Sequence, residues 1–186
     1  MITGKGKSFC AGIDLSALAT ENLFDPRQDK KDMPEIFSSC TKPLICAVNG
    51  HAITGGFEIA LNCDFMIASE TASFADTHAK DGIHPGWGMT QLLQQAIGQR
   101  RARQMSFSCE FITAATALQW GLVNEMVPHS MLMPRALQIA HTISRVDAQH
   151  LQTMRRLINV RNQTSMEKAL AKEKHGFERF ISGQMP

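Results

Sequence analysis

The sequence has five cysteines but no C-x-x-C pair, and its seven histidines show no spacing typical of metal ligands. An odd number of cysteines without a paired motif argues against a disulfide framework and against a zinc site. Such cysteine usage suits a reducing compartment, so we expect a cytoplasmic location and no bound metal. No apolar run is long enough to span a bilayer, and we therefore expect no membrane partner.

An excess of charge of one sign is also lacking. The formal net charge is +2 over 186 residues, and the basic residues are mostly dispersed, with short clusters at residues 99–103 and at Arg155-Arg156. On helices, such clusters are most simply solvated faces, so we expect no nucleic-acid partner. With 44% hydrophobic and 19% charged residues, the chain can bury a core, and its length is typical of one domain.

The glycine-containing stretch KGKSFCAGIDL, which runs from Lys5 to Leu15, could be taken for a phosphate-binding loop. A P-loop would need its first glycine at position 1, where Met1 stands, and a dinucleotide fingerprint would need a third glycine at Phe9. Neither nucleotide-binding motif is therefore present. The stretch needs another explanation, which the rest of the chain must supply.

Hydrophobic patterning predicts strand–strand–helix units in the first half of the chain and helices in the second half. Short apolar runs rich in strand formers predict strands over residues 44–48, 64–68, 72–75 and 122–127. The strand over residues 72–75 is interpreted as edge-like. Longer periodic segments predict helices over residues 14–20, 57–63, 90–97, 100–106, 114–120, 131–145, 148–160 and 166–181.

Two strand-to-helix turns share one pattern, in which a strand breaks at small residues and a helix follows. The first covers residues 9–15, and the second covers residues 49–58 and ends at Glu58 within an apolar helix. Backbone N–H groups at a helix start lack intrahelical partners and favour negative charge. Two facing turns could therefore hold an oxyanion, although each turn alone is also compatible with an ordinary connection. A carboxylate at position 58 is costly unless it is paired or used, which favours a site.

Four stretches of the chain resemble the crotonase superfamily, the enoyl-CoA hydratases and isomerases. They are ITGKGKSFCAGIDL, KPLICAVNGHAITGGFEIALNCDFMIAS, FADTHAKDGIHPGWGMTQLL and FITAATALQWGLVNEMVP, and they lie in family order between Ile2 and Pro128. The resemblance implies an α/β fold, a crotonase-like spiral of ββα units followed by C-terminal helices. It also implies a ββα core over residues 1–128 and a helical trimerisation region over residues 129–186, in a homotrimer or a dimer of trimers.

The resemblance further implies an acyl-CoA thioester as substrate, with no cofactor beyond the coenzyme A that the substrate carries. The thioester oxygen would accept hydrogen bonds from the backbone amides of Ile13 and Gly55, with Glu58 as a catalytic carboxylate. The neighbouring positions expected to contact the substrate are Ala11, Asp14, Gly56 and Gly82. The most direct expectation is an enoyl-CoA hydratase; an isomerase and a non-catalytic acyl-CoA-binding protein are the alternatives.

The chain departs from its family pattern at the second catalytic glutamate, where the aligned residue is His78. Histidine can shuttle protons near neutral pH, so a Glu58/His78 pair is chemically possible; Asp76 and Asp81 are nearby substitutes. His84 and Trp87 are expected to shape the pocket wall, and Asp64 to hold backbone donors. Members of the family that the chain resembles extend beyond both ends of this sequence, so we expect a chain truncated at both ends. An incomplete chain that does not fold alone is therefore a further alternative.

Overall fold

A computed structural model of the chain describes residues 1–14, 16, 22 and 25–182. The helix predicted over residues 14–20 therefore lies largely outside the described residues. Contacts divide the chain into two compact units, Met1–Ile143 and a second that begins at Ser144. The sequence predicts a different kind of boundary, after residue 128, between a ββα core and a helical region for trimerisation. That functional division stays a prediction.

The first sheet is fully parallel and has the strand order β1-β3-β5-β8. Its strands are β1 (Ile2–Thr3), β3 (Ile45–Val48), β5 (Phe65–Ser69) and β8 (Glu125–Val127). All four residues of β3 are buried, as are the last four of β5. Strands covered on both faces read as continuous apolar runs, which is why the sequence predicts these two most clearly.

The second sheet has the order β2-β4-β6-β7, with β7 antiparallel to β6 and the other pairs parallel. Its strands are β2 (Ser8–Cys10), β4 (His51–Ile53), β6 (Ser73–Ala75) and β7 (Ile112–Thr113). The interpretation of residues 72–75 as an edge-like strand was wrong, because β6 pairs with a neighbour on each side. The position of a strand within a sheet depends on pairing partners that are distant in sequence, so the local sequence could not show that β6 is an interior strand.

The first three strand pairs (β1 and β2, β3 and β4, β5 and β6) each place their first strand in the first sheet and their second strand in the second sheet, and helices follow. This repetition confirms the predicted spiral of ββα units. The described helices that begin in the first unit are α1 (Met33–Ser38), α2 (Gly55–Leu61), α3 (His78–Asp81), α4 (Met89–Ile97), α5 (Gln99–Ser108), α6 (Ala114–Trp120) and α7 (Leu132–Ser144). A 3₁₀ turn, His129–Met131, precedes α7.

The second unit consists of two amphipathic helices, α8 (Ala148–Gln163) and α9 (Met166–Ile181), which contact each other. Both begin at a side-chain cap: Asp147 accepts from the amides of Gln149 and His150, and Ser165 accepts from that of Lys168. Such caps satisfy amides that have no partner inside the helix. Among the described residues, no helix is long and apolar enough to cross a membrane.

Helix α2 carries Glu58 into the core because nearly every side of the helix is covered. Phe57 is fully buried and packs against Phe74 of β6, with ring centroids 5.4 Å apart. Ala60 and Leu61 on the same helix are also buried. Burying each large apolar side chain stabilises the fold by about 1.5–3 kcal/mol. This packing fixes the helix, and with it the position of the carboxylate.

Two polar side chains hold the loops that lead into the site. Asn49, which is buried, accepts from the amide of Gly4 and donates to the carbonyl oxygens of Gly6 and Ser8. The carboxylate of Asp64 accepts from the amide of Leu44 at 2.7 Å, which confirms its predicted role as a holder of backbone donors. The first glycine loop is thus tied to the end of β3.

Candidate active site

The Glu58 carboxylate is 2% exposed and has hydrogen-bond partners on one of its oxygens. Its Oε1 accepts from the backbone amides of Trp87 at 2.9 Å and of Met89 at 3.0 Å. These amides belong to the loop before α4 and to the first residue of that helix, where N–H groups lack intrahelical acceptors. Because one oxygen is held by the backbone, the other, Oε2, is fixed in direction.

His78 lies opposite that second oxygen. Its ring nitrogen Nε2 is 3.7 Å from Glu58 Oε2, which is too long for a direct hydrogen bond but allows one water molecule to contact both groups. Its other ring nitrogen, Nδ1, donates to Asp76 Oδ1 at 2.7 Å. The structure thus brings the two predicted catalytic residues together. His78 is buried at the start of α3, a short helix that the sequence analysis did not anticipate.

The charges around His78 favour its protonated form. Burial, the largest single influence, lowers the pKa of His78, but the hydrogen bond to Asp76 and the charges of Asp76, Glu58 and Asp81 together outweigh it and raise the pKa above 6.5. Burial likewise opposes ionisation of Asp76, yet its hydrogen bonds from His78 and Ser106 leave its pKa below 3.8. The pair therefore favours a charged imidazolium beside a carboxylate.

The two glycine turns meet beside this pair. A methyl group at Gly12 would lie 3.5 Å from the Gly55 nitrogen, and one at Gly55 would lie 3.4 Å from Ile13 Cγ1. Outside the bonds internal to helices and strands, the amides of Ile13 and Gly55 donate to no group among the described residues. Two adjacent turns whose amides have no such partner within the described part of the chain are what an oxyanion hole requires, and the role itself stays a prediction.

Thr54 forms the turn between β4 and α2 in an uncommon backbone conformation, with φ 50° and ψ −112°. Residues other than glycine rarely adopt positive φ, and such strain persists only where the surroundings impose it. Here the Thr54 amide donates to the carbonyl of Ala75, and its hydroxyl is bonded to the hydroxyl of Thr77. Thr77 in turn donates to Asp81. This network joins the second glycine turn to the segment that carries His78.

The loop before α4 forms one wall of the site. Trp87 is half-buried, and its Cζ3 would lie 3.4 Å from a methyl group at Gly55. Asn62 donates to the carbonyl oxygens of both Glu58 and Trp87 at 2.8 Å, so the loop and α2 are joined by a side chain as well as by the carboxylate. Trp87 thus lies against the second glycine turn, and its contact with a substrate stays a prediction. His84 is exposed and donates to the carbonyl of Pro85.

The family model for enoyl-CoA hydratase/isomerase matches residues 1–185. The chain belongs to the enoyl-CoA hydratase/isomerase family. The match covers both glycine turns and Glu58, whose catalytic role stays a prediction.

Two relatives in this family are identical to the chain at more than a third of the aligned positions. The chain is 37% identical over 183 residues to "Probable enoyl-CoA hydratase 1, peroxisomal" of Arabidopsis thaliana, an alignment that covers 98% of this chain and 69% of the relative. It is 38% identical to the short-chain-enoyl-CoA hydratase of Clostridium acetobutylicum, over 95% and 69% of the two chains.

Solved structures agree with this assignment. The chain is similar to the crystal structure of enoyl-CoA hydratase from Bacillus anthracis, with a TM-score of 0.85, 34% identity, and coverage of 97% of this chain and 71% of the other. This likeness confirms the predicted crotonase-like fold.

The remaining predicted substrate-contacting residues occupy different environments. Ala11 and Asp14 are exposed on the first turn, and the Asp14 carboxylate accepts from the amide and hydroxyl of Ser16, which lowers its pKa. Gly56 packs directly against Cys10. Gly82 ends α3 with φ 65°, a left-handed conformation that suits glycine. For each of them, contact with substrate stays a prediction.

Several residues that build the site could not be found from the sequence. The amides of Trp87 and Met89, the side chain of Asn62 and the hydroxyl of Ser106 carry no local pattern that points to Glu58 or His78. Asp76 was considered only as a substitute for a glutamate, and the structure instead places it behind His78. Among the described residues, no group of His, Cys, Asp or Glu side chains is arranged to hold a metal ion.

Proposed function

We propose that this chain catalyses the reversible addition of water to a trans-2-enoyl-CoA. The observation that carries the proposal is the buried Glu58–His78 pair, 3.7 Å apart, beside two adjacent glycine turns. Membership of the hydratase/isomerase family and the hydratase names of its relatives support it. No cofactor is needed, because the coenzyme A is part of the substrate.

The proposed reaction assigns each group one task. The amides of Ile13 and Gly55 donate to the thioester oxygen and stabilise the enolate that forms there; one such donor contributes about 3 kcal/mol in comparable sites. The water oxygen bonds to C3 of the enoyl group while Glu58 takes a proton from that water. The enolate then takes a proton at C2 from Nε2 of His78. Transfer of the proton from Glu58 to His78 restores both groups.

A panel of enoyl-CoA thioesters, incubated in heavy water and followed by mass spectrometry, tests the proposal. Hydration adds one water and places one solvent deuterium at the α-carbon. A double-bond shift with no gain of water would instead favour the isomerase. Saturable binding without turnover would favour a non-catalytic acyl-CoA-binding protein.

Replacing His78 by glutamine is expected to slow hydration by about a hundredfold, the usual scale for a general acid. Glutamine preserves the size of the side chain but provides no acidic proton for C2. The rate is measured from the loss of the conjugated thioester absorbance. His51→Gln, at an exposed histidine hydrogen-bonded to Ser73, serves as the control and should leave the rate unchanged. An undiminished rate in His78→Gln would remove this residue from the mechanism.

We also propose that the chain acts as a homotrimer or a dimer of trimers in the cytoplasm. Large apolar side chains stay exposed on the two helices of the second unit, among them Met154, Ile158, Leu170, Phe177 and Phe180. Exposed apolar surface of this kind is typical of a contact between proteins. Sedimentation at micromolar concentration should give three or six times the mass of the 20.6 kDa chain, and a monomer would contradict the proposal.

A further inference from the structure

Asp76 is a buried carboxylate whose two oxygens are both occupied. The residue is 2% exposed, at the point where β6 leads into α3. Oδ1 accepts from Nδ1 of His78 at 2.7 Å and from the His78 amide at 3.2 Å. Oδ2 accepts from the hydroxyl of Ser106 on α5 at 2.6 Å. A buried carboxylate is costly unless it has hydrogen-bond partners. Because both oxygens of Asp76 are hydrogen-bonded, the orientation of its carboxylate is fixed.

This arrangement determines which nitrogen of His78 can exchange protons. Since Nδ1–H is bonded to Asp76, the neutral ring carries its proton on Nδ1, and Nε2 is then an acceptor. Nε2 faces Glu58 and bears a hydrogen only when the ring is an imidazolium. A proton can therefore be donated from Nε2 only if His78 is charged.

The groups that face His78 favour that charged form. Asp76 and Asp81 lie on either side of it in the chain, and Glu58 faces it from α2. α5 packs against α3 and contributes the neutral hydroxyl of Ser106 to the cluster. The cationic side chains of α3 and α5 are all exposed: Lys80, Arg100, Arg101 and Arg103. Carboxylates therefore dominate the surroundings of the ring, in line with the raised pKa of His78.

We propose that Asp76 is the positioning residue of His78: it fixes the Nδ1–H form of the ring and balances the imidazolium charge, so that Nε2–H is directed toward the reacting α-carbon. Asp76 stays ionised and takes no proton itself. Ser106 donates to the second oxygen of Asp76 and so holds the carboxylate in place beside the ring. The catalytic part of this inference rests on the proposed hydration.

Asp76→Asn tests the inference through the pH profile of kcat/KM. Asparagine can still accept from Nδ1–H, but it removes the negative charge. Hydration needs protonated His78, so activity falls as pH rises through the pKa of this residue. Loss of the adjacent charge should move this alkaline limb to lower pH by about one unit or more and slow turnover at pH 8 about tenfold. Ser106→Ala keeps the charge and should shift the limb less. A purely structural role would lower stability and leave the limb in place.

Nitrogen NMR of the chain labelled with ¹⁵N-histidine gives a readout that needs no turnover. Seven histidines contribute, and His78→Gln identifies the signal of interest. In the wild-type chain at high pH, neutral His78 should carry its proton on Nδ1. In Asp76→Asn the midpoint of its titration should fall while the other six stay unchanged.

These measurements separate the two proposals. A wild-type ring that carries its proton on Nε2, or an unchanged midpoint in Asp76→Asn, would overturn the role of Asp76 even if the chain hydrates enoyl-CoA. The expected ring form with no hydration would refute the proposed function and support the role of Asp76. If Asp76→Asn does not fold, the wild-type ring form decides alone.

Discussion

Glu58→Gln should reduce the rate of enoyl-CoA hydration by about a hundredfold or more, which corresponds to at least about 2.7 kcal/mol of transition-state free energy. Glutamine has nearly the same shape, and its carbonyl oxygen can still accept from the amides of Trp87 and Met89. Its NH₂ group would then occupy the position of Oε2, opposite His78. The variant therefore retains the hydrogen bonds that hold the loop but has no group to take a proton from water.

The defect should lie in turnover rather than in binding. Neither proposed oxyanion donor, Ile13 or Gly55, is altered, so the Kd for a saturated acyl-CoA should stay within a few-fold of the wild-type value. Glu70→Gln is a matched control at an exposed glutamate of the same unit, and it should hydrate normally. Equal rates for Glu58→Gln and Glu70→Gln would discard the assignment of Glu58. A large loss of acyl-CoA binding in Glu58→Gln would assign it to binding instead.

The parts of the fold that local sequence predicts best are those with continuous apolar character. β3 and β5 were predicted within a residue or two because both are buried runs of strand-forming residues, and α6 was predicted with its observed bounds. By contrast, β4 was interpreted as part of a turn. Three residues preceded by Asn49-Gly50 carry too little periodicity to indicate a strand, and only pairing with β2 and β6 reveals it.

The residues of the candidate site also differ in how well the local sequence predicts them. Glu58 is identifiable locally, because a carboxylate in an apolar helix demands a partner. Those partners are the amides of Trp87 and Met89, 29 and 31 residues away, and Ser106 lies 30 residues from Asp76. The resemblance to a family supplied the alignment of His78 with a glutamate. It did not supply Asp76 as the partner of that histidine, since the partnership depends on how α3 leaves β6.

Gly56→Ala should be the most destabilising of these substitutions, by about 3 kcal/mol, the upper end of the usual cost of overpacking. An added Cβ would lie 2.1 Å from the carbonyl oxygen of Cys10 and 2.6 Å from its carbonyl carbon. Both are backbone atoms of β2, so no side-chain rotation relieves the clash. Either α2 or β2 must move, and the two turns that carry Ile13 and Gly55 would separate.

Chemical denaturation followed by circular dichroism measures the loss of stability. Gly86→Ala is the matched control within the same unit, because Gly86 has no positive φ and an added Cβ would meet no atom within 4 Å. That control should unfold within about 0.5 kcal/mol of the wild-type chain, or slightly later, since alanine restricts the unfolded state. If both variants unfold together, β2 and α2 do not approach as closely as described, and the pairing of the two glycine turns loses its physical basis.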